Sequence, residues 1–239
     1  MTNKDSRDFR ITGRDILYED NHLLVVNKKA GIPVQGDKSG DPALTDLVKD
    51  FLRVKYNKPG NIFAGLPHRI DRPVSGVVII CKTSKSLSRM TEAFREKKVK
   101  KTYLALVSNK PRFEKETLIH WIKKDQASNK VKVFLTEKSG ALESQLEYEV
   151  IATHNKYFLL KIEPLTGRPH QIRAQLAKIN CPIEGDLKYG SKDPAPDKSI
   201  YLHAASIEFS HPVKRIPLIV TAPLPDKPQW KLFKEINYN

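Results

Sequence analysis

Acidic residues are scarce relative to basic ones in this chain of 239 residues: 27 Asp and Glu stand against 42 Lys and Arg, a formal charge of +15. Cysteine is scarcer still. Cys81 and Cys181 are the only two, without CxxC spacing, which excludes a zinc site built on cysteine. Cys81 continues an apolar run and reads as a buried free thiol, which suits a reducing cytoplasm. No apolar run approaches the ~18 residues a bilayer span needs. The opening "MTNKDSRDFRITGRD" also lacks the apolar stretch of a secretory signal. The seven histidines are scattered, with no HExxH and no ligand-like spacing, so no metal is expected. There is no GxxxxGK[ST] loop and no GxGxxG fingerprint, and Ser75 in "RPVSGVV" does not sit in a GxSxG elbow. No cofactor, small-molecule or metallic, is expected.

The length suffices for one large domain or two subdomains around a cleft, with a core that needs no disulfide. A charge of +15 works against compaction and calls for an anionic partner. Nucleic acid is the first candidate and an anionic membrane surface the second; a merely soluble basic protein is the plain alternative. No amphipathic surface helix stands out, so no membrane partner is expected.

Residues 1–14 are polar and are expected to be flexible, with a single domain over 15–239. "ILYEDNHLLVVNKKAGIPV" reads as strand, turn, strand. "LTDLVKDFLRVKY", after Pro42, places Leu44, Leu47, Val48, Phe51 and Leu52 at helical spacing. "GVVIICKT" is a buried strand, and "SKSLSRMTEAFREKKV" is a helix with Leu87, Met90 and Phe94 on one face. "KKTYLALVS" is a strand, and "SQLEYEVIATHNKYFLLKIEPL" is a strand pair turning near His154–Lys156. "TGRPHQIRAQLAKIN" opens a helix with Pro169 in its first turn and Ile172, Leu176 and Ile179 inward. "LKYGSKDPAPDKS" is expected to be a mobile loop. Strands in "SIYLHAASIEF" and "PLIVTAP" and a closing helix in "KPQWKLFKEI" follow. Strands paired mostly with neighbours and helices packed between them indicate an α+β fold, a mixed and mostly antiparallel sheet with flanking helices around a central cleft.

Three stretches carry chemistry. "LPHRIDRPVSG" crowds His68, Arg69 and Arg72 around Asp71 just ahead of a core strand. Two nearby guanidinium groups favour the ionised carboxylate, which suits nucleophilic or electrostatic work; an ion pair pinning a loop is the alternative. "GRPHQIRAQL" gathers Arg168, His170, Gln171 and Arg173 where a loop becomes a helix, a place where anions are favoured. A solvated helix start, with His170 as a hydrogen-bonded structural residue, is the alternative. Tyr103 in "KKTYLALV" either packs in the core or faces a cleft, stacking on a base and moving a proton through its hydroxyl.

These blocks resemble, in order, those of the RluA-type RNA pseudouridine synthases. "HRIDRPVSG" is similar to HRLDxxTSG and "GRPHQIRAQL" to GRxHQIRxH, while "KTYLALV", "CPIEGDLKYG", "YLHAASIEFSHP" and the opening strand pair are similar to further family blocks. The resemblance runs over about residues 15–224. It implies that the chain turns uridine into pseudouridine in ribosomal or transfer RNA, with no cofactor or metal, as a cytoplasmic monomer. By the same resemblance Asp71 is the nucleophile, Tyr103 lies against the target base, and Arg173 pairs with Asp71. Arg69 would help fill the space left by the extruded base, and His68, Arg72, Arg168, His170 and Gln171 would bind substrate. The chain departs from the family blocks at Pro73, Val74 and Gln175, and the small N-terminal RNA-binding module of many relatives is not expected here. A non-catalytic RNA-binding or RNA-chaperone protein is the alternative from another class. An RNA-cleaving hydrolase fits less well, because metal ligands and a paired acid and base are missing.

Overall fold

The computed structural model describes residues 9–37, 39–125 and 130–236. Its strands are β1 (Ile16–Glu19), β2 (Leu23–Lys28), β3 (Ser75–Cys81), β4 (Lys100–Val107), β5 (Lys115–Asp125), β6 (Lys130–Phe134), β7 (Leu142–His154), β8 (Tyr157–Pro164), β9 (Leu202–Ser210) and β10 (Pro217–Thr221). They form one sheet in the order β1-β2-β3-β9-β4-β8-β7-β5-β6, with β10 paired to β9. Every pairing is antiparallel except β3 with β9, where Ser75 and Gly76 run beside His203 and Ala204. The mixed, mostly antiparallel α+β expectation therefore holds.

Strand alternation divides the central apolar side chains between two faces. Leu24, Val26, Val78 and Ile80 join one core with helix α1 (Leu44–Tyr56), helix α3 (Gln171–Lys178) and Trp230 of the short closing helix α4 (Pro228–Lys231). Leu23, Val25, Val77 and Ile79 join another core with Met90 of helix α2 (Ser84–Arg95) and with Phe209 and Val220. Because β3 is covered on both faces, all seven of its residues are buried, which is why "SGVVIIC" reads as a continuous run without alternation.

The contact between β3 and β9 depends on Gly76. Its φ of 111° lies in the left-handed region, and a Cβ there would fall 2.2 Å from the Ala204 carbonyl oxygen. Only glycine lets these two backbones come this close.

Several expectations need adjusting. Residues 1–8 of the segment expected to be flexible lie outside the described residues, but Ile11 is buried and Phe9 packs on the core. Helix α2 stops at Arg95, before "EKKV", where Lys97 takes a φ of 58°. Pro169 precedes the N-cap of α3, and His170, at φ 53°, is that cap. Only one turn of "KPQWKLFKEI" is helical. β5 and β6 fall where periodicity gives no expectation. In β5 the buried positions are Leu118, His120 and Ile122, but the outward Ile119 is apolar as well, so the alternation is blurred.

Candidate active site

Where β3, β9 and β4 meet, the sheet carries a cleft of about 1000 Å³, lined from the turn before β3, from β4, from the end of β8 and from the start of α3. Asp71 lies in that turn. Val74 N–H donates to the Asp71 carbonyl at 3.0 Å and closes it. The turn is clamped from behind: the Arg72 carbonyl accepts from Gly31 N–H at 2.8 Å and from Lys28 Nζ at 3.2 Å.

Arg72 itself faces away from the cleft. Its Nε donates to the Gly31 carbonyl at 2.9 Å, and its guanidinium pairs with Asp41 and, at 3.5 Å, with Asp37. The role in substrate binding expected for Arg72 is therefore not one this geometry supports, because its donors are spent on the loop. Arg69 is exposed at the cleft, with a 3.4 Å contact to Gln35. Neither neighbouring arginine bonds the Asp71 carboxylate.

The guanidinium that does so comes from α3. Arg173 Nη1 donates to Asp71 Oδ2 at 2.9 Å. The other edge of Arg173 is bound to Asp186, Nε to Oδ2 at 2.7 Å and Nη2 to Oδ1 at 2.8 Å. Arg173 is 5% exposed and Asp186 1%. With two carboxylates around one buried guanidinium, Arg173 stays charged. Among the described residues no hydrogen bond reaches Asp71 Oδ1.

Tyr103 lines the same cleft from β4. The β4–β9 register slips there: Thr102 faces Ser206 and Tyr103 faces Ala204, leaving Ala205 unpaired. Such a bulge re-aims a side chain. Burial raises the Tyr103 hydroxyl above the ordinary phenol range, and the charge of Asp71 pushes it the same way. It is a neutral phenol at physiological pH, able to stack and to donate, not a standing phenolate.

The remaining expected residues divide into cleft-facing and structural groups. His170 Nδ1 lies 2.8 Å from the Tyr189 hydroxyl, and its Nε2 lies 3.9 Å from Asp71 Oδ2, beyond hydrogen-bond reach. Burial lowers its affinity for a proton, with Asp71 opposing. Arg168 lines the cleft and donates from Nε to the Glu143 carbonyl at 3.1 Å. Gln171 lines the cleft while its amide bonds the preceding loop: Oε1 accepts from Thr166 Oγ1 and Arg168 N–H, and Nε2 donates to the Gln145 carbonyl. His68 Nε2 accepts from Ile79 N–H at 2.9 Å, and its ring stacks on Phe94 with centroids 4.7 Å apart. Burial, with Lys101 adding to it, pulls its pKa down to about 3, so it is a neutral acceptor that fixes the cleft wall.

Three participants escape motif reasoning. Asp186 was part of a block but had no partner in view. Lys101 lines the cleft with no carboxylate within 4.0 Å among the described residues, and burial lowers its pKa. Lys28 is wholly buried. Its Nζ donates to the carbonyls of Lys29, Ile32 and Arg72, and burial brings its pKa down to about 7. Nothing in "VVNKKAG" distinguishes a buried lysine from a solvated one. No group of His, Cys, Asp and Glu suited to a metal occurs among the described residues, nor is any helix long and apolar enough to cross a membrane.

Residues 22–178 match the family model for RNA pseudouridylate synthase. "Ribosomal large subunit pseudouridine synthase C" of Buchnera aphidicola subsp. Baizongia pistaciae (strain Bp) is 37% identical over 87% of this chain and 66% of its own length. The protein of that name from Rickettsia bellii (strain RML369-C) is 33% identical over 85% of this chain and 66% of its own length. The chain thus spans about two thirds of these relatives. Among solved structures, "Human RNA Pseudouridylate Synthase Domain Containing 4" superposes with a TM-score of 0.74 at 23% identity over 89% of both chains, a likeness of fold. With the family model covering the turn of Asp71, the strand of Tyr103 and the helix of Arg173, the chain belongs to the RNA pseudouridylate synthase family of enzymes.

Proposed function

We propose that the chain isomerises uridine to pseudouridine in ribosomal RNA, with Asp71 as the reacting carboxylate. The observation that carries this reading is the carboxylate itself, held by one hydrogen bond from Arg173 at the floor of a cationic cleft with its second oxygen unengaged. Ribosomal RNA, rather than transfer RNA, is favoured because the matched relatives are named for the large ribosomal subunit.

The chemistry follows from the groups present. A stacked uridine is out of reach and must be extruded, at a cost of roughly a few kcal/mol. Phosphate contacts from the lysines and arginines at the cleft offset that cost. Asp71 assists rupture of the N1–C1′ bond, the base turns, C5 bonds to C1′, and the C5 proton departs while N1 gains one. Tyr103 supplies a face for the detached base and a neutral hydroxyl beside it. A purely RNA-binding protein has no use for a carboxylate set among the cations of its cleft, where it repels phosphate.

Ribosomal and transfer RNA incubated with the protein, digested and resolved as nucleosides, test the reading. Pseudouridine appearing in ribosomal RNA at the expense of uridine, with RNA length unchanged on a denaturing gel, is the expected result. Shortened RNA would instead indicate hydrolysis, and RNA bound but unchanged would favour the RNA-chaperone reading.

A further inference from the structure

The arginine that meets Asp71 is enclosed by two residues of the "GDLKYG" segment. Asp186 occupies two nitrogens of the Arg173 fork, and the Tyr189 ring lies against the guanidinium with its centroid 5.0 Å from Cζ. Both enclosing residues are themselves anchored. Asp186 N–H donates to the Ile183 carbonyl, and the Asp186 carbonyl accepts from Tyr189 and Ser191, each at 3.0 Å. The Tyr189 hydroxyl meets His170 Nδ1 at 2.8 Å and accepts Val131 N–H from β6 at 3.0 Å. Part of the loop expected to be mobile is therefore bonded into the site.

The division of Arg173 is uneven. Its two-pronged edge goes to a carboxylate with no exposure to substrate, and a single nitrogen is left for Asp71. A guanidinium free of Asp186 would present Asp71 with that edge, and paired N–H···O bonds would then occupy both Asp71 oxygens. Asp186 also offsets the charge of Arg173, so Asp71 faces a neutralised pair instead of a full buried cation.

We propose that Asp186, with Tyr189 beneath the guanidinium, is a positioning residue that restricts Arg173 to one hydrogen bond with Asp71, fixing the direction of the carboxylate while leaving its second oxygen for the target nucleoside. This rests on Asp71 being the reacting group. It assigns Asp186 an effect on the chemical step and little on RNA affinity. It also requires that Asp186 act through Arg173 alone.

The test combines a structural readout with a kinetic one. In ¹⁵N-labelled protein the Arg173 Nε–H resonance, assigned by its disappearance in Arg173→Lys, is expected to exchange slowly with solvent. It stays protected in Asp71→Asn and loses protection in Asp186→Asn. In single turnover, measured by tritium release from C5-labelled RNA, Asp186→Asn lowers the rate on the order of 100-fold, the scale of a misplaced reacting group. RNA affinity changes by less than about twofold, and in an Arg173→Lys background the same substitution costs less than about threefold more. Protection lost in Asp71→Asn, or kept in Asp186→Asn, overturns the proposal, as does a full additive loss in the Arg173→Lys background. A rate that falls only in step with the folded fraction overturns it too. Should Asp186→Asn not fold, wild type against Asp71→Asn still decides which carboxylate holds Arg173. Absence of tritium release from the wild type would count against the function proposed above, and the resonance would report on the positioning independently.

Discussion

Asp71 and Arg173, 102 positions apart in sequence, are joined by one 2.9 Å hydrogen bond at the bottom of the cleft. Arg173 does not depend on that bond to be paired, because Asp186 holds its other edge. Asp71→Asn therefore leaves no unpaired buried charge and is expected to fold. Its turnover should fall by at least about 10³-fold, the scale of losing a group that acts in the transition state. RNA binding, measured by filter retention, should stay within about threefold, since the lysines and arginines lining the cleft are untouched. Loss of folding and binding together would make Asp71 a structural residue.

Tyr103 separates stacking from proton handling. Tyr103→Phe keeps the aromatic face and removes a hydroxyl that burial and Asp71 hold protonated. If that hydroxyl takes part in proton movement, the single-turnover rate falls about 100-fold while affinity hardly changes. Tyr103→Ala, which removes the face as well, should cost a further 1–3 kcal/mol, roughly the worth of one stacked base. An unchanged rate in Tyr103→Phe would reduce the residue to a platform.

Lys28 ties the turn of Asp71 to the loop after β2 through three carbonyls. Lys28→Met leaves those carbonyls without their donor and should destabilise the protein by about 2–4 kcal/mol in urea unfolding. The pH dependence has a definite sign. Burial brings Lys28 from 10.5 down to about 7 in the folded state, so between those values the unfolded chain binds the extra proton. This group's contribution to stability therefore rises with pH across that window, by up to about 1.4 kcal/mol per unit, and levels off below pH 7. In Lys28→Met the rise should disappear.

Acid should act through two neutral histidines, the half-buried His68 and the buried His203, before it reaches the carboxylates. Burial lowers His68 to about 3 and His203 to about 4, against 6.5 when unfolded. The unfolded chain binds protons that the folded chain refuses, so stability falls as pH drops below 6.5. The slope is about 1.4 kcal/mol per unit for each histidine. Glu19, held down to about 2 by Lys55, Tyr56 and Lys82 against its burial, adds to the loss only below about 4.5. Urea melts between pH 7 and 4.5 therefore isolate the histidines, and a flat profile there would mean that they are protonated without cost.

Some of this was legible in the sequence and some was not, for physical reasons. The hairpin of β7 and β8 turns at Asn155, with φ 52°, where the polar "HNK" interrupts two alternating runs. Asp71, Tyr103 and Arg173 do meet at one cleft, since three ordered blocks carried them. Arg72 misled because nearness in sequence to Asp71 says nothing of which side of a turn a side chain leaves from. Gln171 lines the cleft, but that its amide also satisfies the loop preceding the helix is something a polar residue at a helix start does not announce. Asp186 was invisible as a partner of Arg173 because the two lie 13 positions apart, across a turn that no periodicity describes.

The most direct test of the central claim is tritium release from ribosomal RNA labelled at uridine C5, comparing wild type with Asp71→Ala at equal RNA occupancy. C5 cannot bond to C1′ without expelling that label. Release by wild type and none by Asp71→Ala is the predicted result. Release by both proteins, or by neither while RNA is bound, would contradict a carboxylate-dependent isomerisation of ribosomal RNA at this cleft.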